Sequence, residues 1–194
     1  MVTGIQLIVG LGNPGSEYQN TRHNAGAWFI ERLAAIEQAS LQYSEKFSGF
    51  IGKMNVSGKL CHLLVPTTYM NLSGDAVSAV ANFYEIGPEN ILVAHDELDL
   101  AAGCVRLKFS GGHAGHNGLR DIFPKINSPA FYRLRIGIGR PTQGSVADYV
   151  LHKPNHDEQT LIDSSITSAL NVVPQLLAGQ FEAAMKILHT VNEK

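Results

Sequence analysis

The sequence predicts an α/β fold: a single domain with a mixed, mostly parallel twisted sheet that is flanked by helices on both faces. Three observations lead to this prediction. Short apolar runs alternate with stretches in which apolar residues recur at helical spacing. Hydrophobic residues make up 44% of the 194 residues, enough to build a core for one domain. No repeat or linker divides the chain, so residues 1–194 are expected to form one unit.

The first half of the chain is predicted to contain four strands and two helices. Residues 5–9 are a short apolar run that leads into a glycine-rich loop, residues 10–15. The other predicted strands are residues 50–56, 60–65 and 91–94, and the predicted helices are residues 24–39 and 73–84. Ser57 and Gly58 supply a turn between the second and third strands.

The second half is predicted to begin with strands and to end with helices. The strands are residues 105–109 and 131–138, and the helices are residues 119–126, 157–177 and 181–190. Pro174 is expected to kink or end the long helix in which it falls. Residues 111–118 are predicted to form a flexible loop rich in glycine and histidine, and residues 141–145 an exposed, mobile loop.

Composition limits the classes of function. The 15 basic and 17 acidic residues give a formal net charge of -2, so the molecule has no overall positive field. A nucleic-acid partner would therefore be bound by a local basic patch, in a salt-sensitive manner. The N-terminus has no charged signal segment, no apolar run is long enough to span a bilayer, and the two cysteines form no CxxC pair. These features predict a cytoplasmic protein.

The loop at residues 10–15 reads GLGNPG and so matches the G-x-G-x-x-G pattern of dinucleotide-binding proteins. That pattern requires a helix to begin at the loop, whereas residues 16–23 intervene here and Pro14 lies inside the motif. A nucleotide-dependent oxidoreductase is therefore a poor alternative. Asn13 still stands at the carboxyl end of a buried strand, where open α/β sheets place ligands.

His23 and Asp96 are the strongest catalytic candidates. His23 lies at the start of the first predicted helix, and a neutral imidazole held there can take a proton from water. Asp96 follows a buried strand and could orient an imidazole, as the acid of a hydrolase triad does. On spacing alone, His23 could equally belong to a helix cap and Asp96 to an ordinary turn.

Other types of catalytic site fit the sequence poorly. His113 and His116 lie three residues apart in a glycine-rich loop with no third ligand beside them, so they do not form a zinc motif. No G-x-S-x-G elbow is present, and no motif surrounds either cysteine. A histidine base, an aspartate and several asparagines suit attack by an activated water on an acyl group. We therefore do not expect a metal ion at this site.

Six separate motifs resemble those of the bacterial peptidyl-tRNA hydrolase family, in the same order and along nearly the whole chain. They are residues 8–15, 21–26, 66–74, 95–99, 112–119 and 133–139. The resemblance implies one α/β domain that acts without a cofactor, as a monomer, on the ester between a peptide and tRNA. It also implies that His23 is the general base, that Asp96 stabilises its basic form, and that Asn13 helps to distinguish a blocked amino group from a free one.

The resemblance further implies contacts with the two parts of the substrate. Asn71 and Asn117 would hold the peptide and the tRNA end, with His116 and Met70 beside them, and Tyr18 and Tyr69 would line the site for the tRNA end. The partner would be the acceptor stem and CCA end of peptidyl-tRNA.

Basic residues on two predicted strands are candidates for phosphate contacts. Arg106 and Lys108 share one strand face, as do Arg133 and Arg135, and Arg140 follows nearby. A non-catalytic RNA-binding module on the same fold would keep this basic face without the chemistry, and it is the alternative function.

Overall fold

The computed structural model describes residues 3–191, which contain a seven-stranded sheet covered by helices. The strands are β1 (Leu7–Gly10), β2 (Gln42–Ser44), β3 (Gly49–Val56), β4 (Lys59–Pro66), β5 (Ile91–Glu97), β6 (Val105–Phe109) and β7 (Tyr132–Gly137). The α-helices are α1 (Ala25–Ile36), α2 (Ser73–Phe83), α3 (Asn117–Lys125), α4 (Val146–Val150), α5 (His156–Leu170), α6 (Val173–Leu177) and α7 (Phe181–Val191).

The strand order is β2-β3-β4-β1-β5-β7-β6, and the four central strands β4, β1, β5 and β7 are mutually parallel. β3 runs antiparallel to β4, β2 antiparallel to β3, and β6 antiparallel to β7, so only β3 and β6 run against the rest. The prediction of a mixed, mostly parallel sheet is confirmed. The central strands all end at one edge of the sheet, where ligand sites of such folds lie.

Helices pack on both faces of the sheet, because successive residues of each strand point to opposite sides. Ile8 of β1 packs in a core formed with α1, α5, α6 and α7, which includes Phe29 and Ile166. Val9, on the other side of the same strand, packs in a second core with α2 and α3, which includes Val77. All of these side chains are fully buried.

One strand and one short α-helix were not predicted from the sequence. β2 has only three residues, mostly exposed, so it lacks the apolar alternation by which a strand is identified. α4 has five residues, fewer than two helical turns, so its apolar spacing could not be distinguished from that of a loop. It directly follows residues 141–145, which are largely exposed as predicted.

Three of the differences between predicted and observed boundaries affect the site or the division into helices. β5 extends to Glu97 and includes Asp96 within the strand. α3 begins at Asn117 rather than two residues later, because the side chain of His116 caps it. The predicted helix over residues 157–177 is two helices, since α5 ends at Leu170 and Pro174 occupies the first turn of α6, where its missing N–H costs nothing.

None of the helices found in residues 3–191 combines the length and the apolar character that crossing a bilayer would require.

Candidate active site

Asp96 lies inside the sheet, near the carboxyl end of β5. All seven residues of this strand are buried, and the exposed fraction of Asp96 is 3%. β5 lies between β1 and β7, both parallel to it, so the segments that follow these strands meet above Asp96. A carboxylate at this depth needs hydrogen-bond donors, and two histidines supply them.

His23 is the first donor. It belongs to a 3-10 turn, Arg22–Asn24, that leads directly into α1. This position agrees with the prediction that His23 lies at the start of the first helix. Its Nδ1 lies 2.9 Å from each carboxylate oxygen of Asp96. An ionised carboxylate can only accept hydrogen bonds, so Nδ1 carries the proton and Nε2 keeps a free lone pair.

His116 is the second donor, with its Nε2 2.8 Å from Oδ1 of Asp96. Its Nδ1 accepts hydrogen bonds from the backbone N–H groups of Gly118 and Leu119, which makes His116 the N-cap of α3. A ring nitrogen that accepts carries no proton, so in the neutral ring the proton is on Nε2. Both ring nitrogens of His116 are therefore occupied within the protein.

The charges of this cluster are set by its burial and its contacts. Burial alone would lower the pKa of His23, but the charge of Asp96 and the hydrogen bond to it raise this pKa above its ordinary value. Burial would raise the pKa of the Asp96 carboxyl, but His23 and His116 hold it well below its usual range. Asp96 is thus ionised at neutral pH, and His23 is a stronger base than a free histidine.

A third histidine, His95, lies beside the cluster without competing for the carboxylate. Its Nδ1 is 2.8 Å from the backbone carbonyl oxygen of Asp96 rather than from the side chain. Complete burial and the neighbouring His116 lower the pKa of His95 to about 3. His95 is therefore uncharged at neutral pH.

The ligand atoms of His23, Asp96 and His116 lie within 4.8 Å of one another, close enough for a cation to bridge them. The proton positions disfavour this. A nitrogen that binds a metal must offer a lone pair, but Nε2 of His116 carries a proton while Nδ1 caps α3. The cluster is better suited to two N–H groups that donate to one carboxylate than to a metal ion.

Asn13, on the loop after β1, has a defined orientation. Its Oδ1 accepts a hydrogen bond of 2.8 Å from the backbone N–H of Met70, so the amide NH₂ group points away from that contact. The side chain of Asn24 holds the loop itself, because its Oδ1 accepts from the backbone N–H of Asn13 and its Nδ2 donates to the backbone oxygen of the same residue.

A cavity of about 430 Å³ opens beside His23. It brings together seven residues predicted to act in catalysis or binding, which are Asn13, Tyr18, His23, Tyr69, Met70, Asn71 and Asn117. The rings of the two tyrosines meet edge to face at 6.4 Å. No Asp, Glu, Lys or Arg is among the described residues that line this cavity, which we call the asparagine cavity.

Two further cavities continue from it. One of about 300 Å³ shares His23 and Asn117 with the asparagine cavity and extends to His113 and Arg140. The next, of about 290 Å³, shares His113 and is lined by three cationic side chains and by two carboxylates, which are Lys108, Arg133, Arg135, Glu97 and Asp99; we call it the basic cavity because the cationic side chains are in excess. His23 thus stands between a neutral region and a route toward a basic one.

A family model described as peptidyl-tRNA hydrolase matches residues 7–194. The chain belongs to the peptidyl-tRNA hydrolase family. The resemblance inferred from the six sequence motifs is confirmed, and the family consists of enzymes that cleave an ester.

Relatives and solved structures agree with this assignment. The peptidyl-tRNA hydrolase of Pseudomonas aeruginosa strain LESB58 is 54% identical over 191 residues, which are 97% of this chain and 98% of the relative. That of Marinomonas sp. strain MWYL1 shows the same identity and coverage. The crystal structure of the Acinetobacter baumannii peptidyl-tRNA hydrolase at 1.00 Å is 52% identical and superposes with a TM-score of 0.94, covering 97% of this chain and 96% of that one.

The basic residues of this family member do not all face solvent. Across the β6–β7 pair, Arg106 stands opposite Arg135 and Lys108 opposite Arg133, so four positive side chains share one face. Arg135 is paired with Glu97 at 3.1 Å, and Lys108 is exposed beside the basic cavity. Like charges placed opposite one another repel, and Glu97 offsets part of this repulsion by pairing with Arg135.

Besides Arg135, two more of the predicted phosphate contacts have partners within the protein. Arg133 is 3% exposed and donates to the backbone oxygens of Gly111 and Gly112, so it holds the loop before α3 and is not placed to meet a phosphate directly. Arg140 is paired with Asp99 at 2.6 Å on the surface.

Sequence reasoning did not assign roles to two residues that support this peptidyl-tRNA hydrolase site. Asn24 holds the Asn13 loop, and Arg22 donates to the backbone oxygen of Tyr149, which positions α4 beside the asparagine cavity. Both flank His23 in the motif of residues 21–26, and that proximity was the only available signal.

Proposed function

We propose that the protein hydrolyses the ester between tRNA and a peptide or an N-blocked amino acid, with a water molecule activated by His23. The observation that carries this proposal is the fixed tautomer of His23. Its Nδ1–H is held by the buried Asp96, so the lone pair of Nε2 is available where two cavities meet. The product is a free tRNA, recycled from stalled or aborted translation.

In the proposed reaction, Nε2 of His23 takes a proton as the water oxygen bonds to the ester carbon. Asp96 stabilises the imidazolium ion through the hydrogen bond at Nδ1, as in a hydrolase triad. The bond from the ester carbon to the ribose oxygen then breaks, and the proton on Nε2 passes to that oxygen. The products are a peptide carboxylic acid, which ionises in water, and a ribose hydroxyl.

We propose for His116 a role that differs from the expected substrate contact. Because both of its ring nitrogens are bonded within the protein, we assign it to holding Asp96 rather than to contacting the substrate. This second donor leaves Asp96 little freedom to rotate away from His23.

The distribution of charge indicates how the substrate lies. A peptide is largely neutral and suits the asparagine cavity, where Asn71 and Asn117 offer amide groups. A tRNA is a polyanion and suits the region toward Lys108 and the basic cavity. Tyr18 and Tyr69 line the asparagine cavity, so we place them beside the tRNA end, to which the acyl group is attached.

Asn13 can distinguish a blocked amino group from a free one. Its Oδ1 is occupied by the backbone N–H of Met70, so the group left for a ligand is the NH₂ donor. This donor can bind a peptide carbonyl oxygen but offers no acceptor to a cationic α-amino group. A free aminoacyl-tRNA would therefore find no favourable partner there.

The test compares hydrolysis of N-acetyl-aminoacyl-tRNA with that of the unblocked form. We expect strong preference for the blocked substrate, and Asn13→Asp should reduce the ratio of the two kcat/KM values by about tenfold, because a carboxylate attracts the cation and loses the donor. Asn55→Asp, on β3 and outside all three cavities, is the matched control and should leave the ratio unchanged. Equal rates on both substrates in the unmutated protein would contradict the proposal.

Lys108 is the best candidate for a phosphate contact, since it is exposed and has no ion-pair partner among residues 3–191. Lys108→Ala should lower the slope of log Kd for tRNA against log salt concentration by about 0.7 to 0.9, the change expected for one lost contact. Lys59→Ala, at the opposite end of the parallel strands, is the control. A slope that Lys108→Ala does not alter would remove Lys108 from the tRNA surface.

A non-catalytic RNA-binding module would need the basic face but not a histidine fixed against a buried carboxylate, so we favour the enzyme. We further propose that it acts as a monomer in the cytoplasm, where translation supplies its substrate. A mass of 21.0 kDa measured by light scattering would support the monomer, and cell fractionation tests the location in the cytoplasm.

A further inference from the structure

The first turn of α2 is capped by a residue of another helix. The N-cap position of α2 is Leu72, whose side chain has no hydrogen-bond acceptor. The backbone N–H of Gly74, in the first turn, instead donates to Oδ2 of Asp121 in α3 over 2.8 Å. Asp121 thus performs for α2 the role that an Asp or Ser at the N-cap usually performs for its own helix. Its negative charge is also favourable at the positive end of the helix dipole.

The helix starts on either side of this bond are in close contact. A Cβ atom added to Gly74 would lie 2.5 Å from the backbone oxygen of Asp121, so only glycine allows this approach. A Cβ atom added to Gly118 would lie 2.7 Å from Sδ of Met70, so the start of α3 also packs against the 3-10 turn before α2, here through a side chain. The two helix starts therefore have little freedom to move apart while these contacts persist.

The bond lies close to both of the asparagines proposed to hold the substrate. Asn71 is in the 3-10 turn Met70–Leu72, three residues before Gly74. Asn117 is the first residue of α3, one helical turn before Asp121. Asp121 itself lines none of the three cavities near His23. The bond between Gly74 and Asp121 therefore links the segments that carry Asn71 and Asn117 from outside the asparagine cavity.

We propose that Asp121 is a positioning residue, which sets the separation of Asn71 and Asn117 by capping α2 from α3. This inference rests on the proposed function, in which those two asparagines hold the acylated end of the substrate. His23 and Asp96 belong to other elements, and His116 still joins the start of α3 to Asp96 when Asp121 is lost. The loss of Asp121 should therefore displace the turn that carries Asn71 and weaken substrate binding without altering the base.

Asp75 provides a matched control. It forms an ion pair with Lys125 between the same two helices, but its side chain is 47% exposed and that of Lys125 is 41% exposed. Exposed ion pairs contribute little to stability because solvent and salt screen them. Asp75→Ala and Asp121→Ala therefore remove the same charge from the same helix pair, but only Asp121→Ala removes the cap.

The experiment measures steady-state hydrolysis of N-acetyl-aminoacyl-tRNA at a temperature well below the unfolding transition of every variant. Asp121→Ala should raise KM by about tenfold, the scale of a displacement of binding groups by a fraction of an ångström. The pH at which kcat/KM reaches half of its maximum on the acid side should not change, because this midpoint follows the pKa of His23. Asp121→Asn, which keeps an oxygen acceptor for Gly74, should stay within about twofold of the unmutated KM, as should Asp75→Ala.

A second comparison separates this inference from the proposed function. If Asp121 acts through the asparagines, Asp121→Ala should add little to a variant that already carries Asn71→Ala and Asn117→Ala. If the double asparagine variant keeps the unmutated KM, the proposed roles of the asparagines fail. If that variant is impaired and Asp121→Ala is not, or if Asp75→Ala raises KM as much as Asp121→Ala, the positioning role of Asp121 is overturned.

Discussion

Replacing His23 with alanine should lower kcat on N-acetyl-aminoacyl-tRNA by roughly 10³- to 10⁴-fold, the upper part of the range for a general base. The reason is geometric. Nε2 of His23 is the free basic nitrogen of the cluster, because His116 uses both of its ring nitrogens and His95 is buried beside the backbone of Asp96. No other described histidine can take over at the same place.

A second variant separates loss of the base from loss of structure. His23→Asn keeps an amide N–H close to the position of Nδ1, so it can still donate to Asp96, but it has no basic nitrogen. It should lose as much activity as His23→Ala while it unfolds at nearly the unmutated temperature. His156→Ala, at the exposed start of α5, controls for the loss of an imidazole elsewhere. A His23→Asn variant with near-normal turnover would exclude His23 as the base.

Replacing Asp96 with asparagine should lower kcat/KM less, on the order of 10²-fold, and should also move the pH profile. In the unmutated protein the pKa of His23 is raised by Asp96, so the rate should rise with a midpoint above the ordinary histidine pKa of about 6.5. Without the negative charge, burial acts alone and lowers that pKa, so the midpoint should fall below 6.5. Above both midpoints the remaining difference in rate measures the loss of orientation and charge stabilisation.

The pH profile makes this prediction specific to the chemistry. Glu97→Gln, next along β5, removes a carboxylate that pairs with Arg135 and does not contact His23, so it should leave the midpoint where it was. A midpoint that is the same with and without the Asp96 carboxylate would mean that His23 is not the group that titrates. A loss equal to that of His23→Ala would mean that Asp96 takes part directly in proton transfer.

The sequence predicted those features that depend on a local pattern of residue types. Apolar runs identified the central strands, and the spacing of Phe29 and Leu33 identified α1. The proximity of His23 and Asp96 could be expected because strand ends of a parallel sheet meet at one edge.

Contacts between distant segments could not be read from local patterns. The role of His116 depends on α3 starting at Asn117, and a glycine-rich stretch gives no sign of that start. Arg133 has the alternating pattern of an exposed strand residue, yet its guanidinium is buried under the loop at Gly111 and Gly112. The cap that Asp121 gives to α2 joins residues that are 47 positions apart, beyond the reach of any local rule.

His116 has a consequence for how this site can change during evolution. One nitrogen of its ring starts a helix and the other holds the catalytic carboxylate, so the ring has no spare hydrogen-bonding capacity. A substitution at position 116 alters the local folding of α3 and the acid–base pair at once. A substitution that would preserve only the cap of α3, or only the hydrogen bond to Asp96, is therefore not sufficient. A compensating change would have to restore both contacts together.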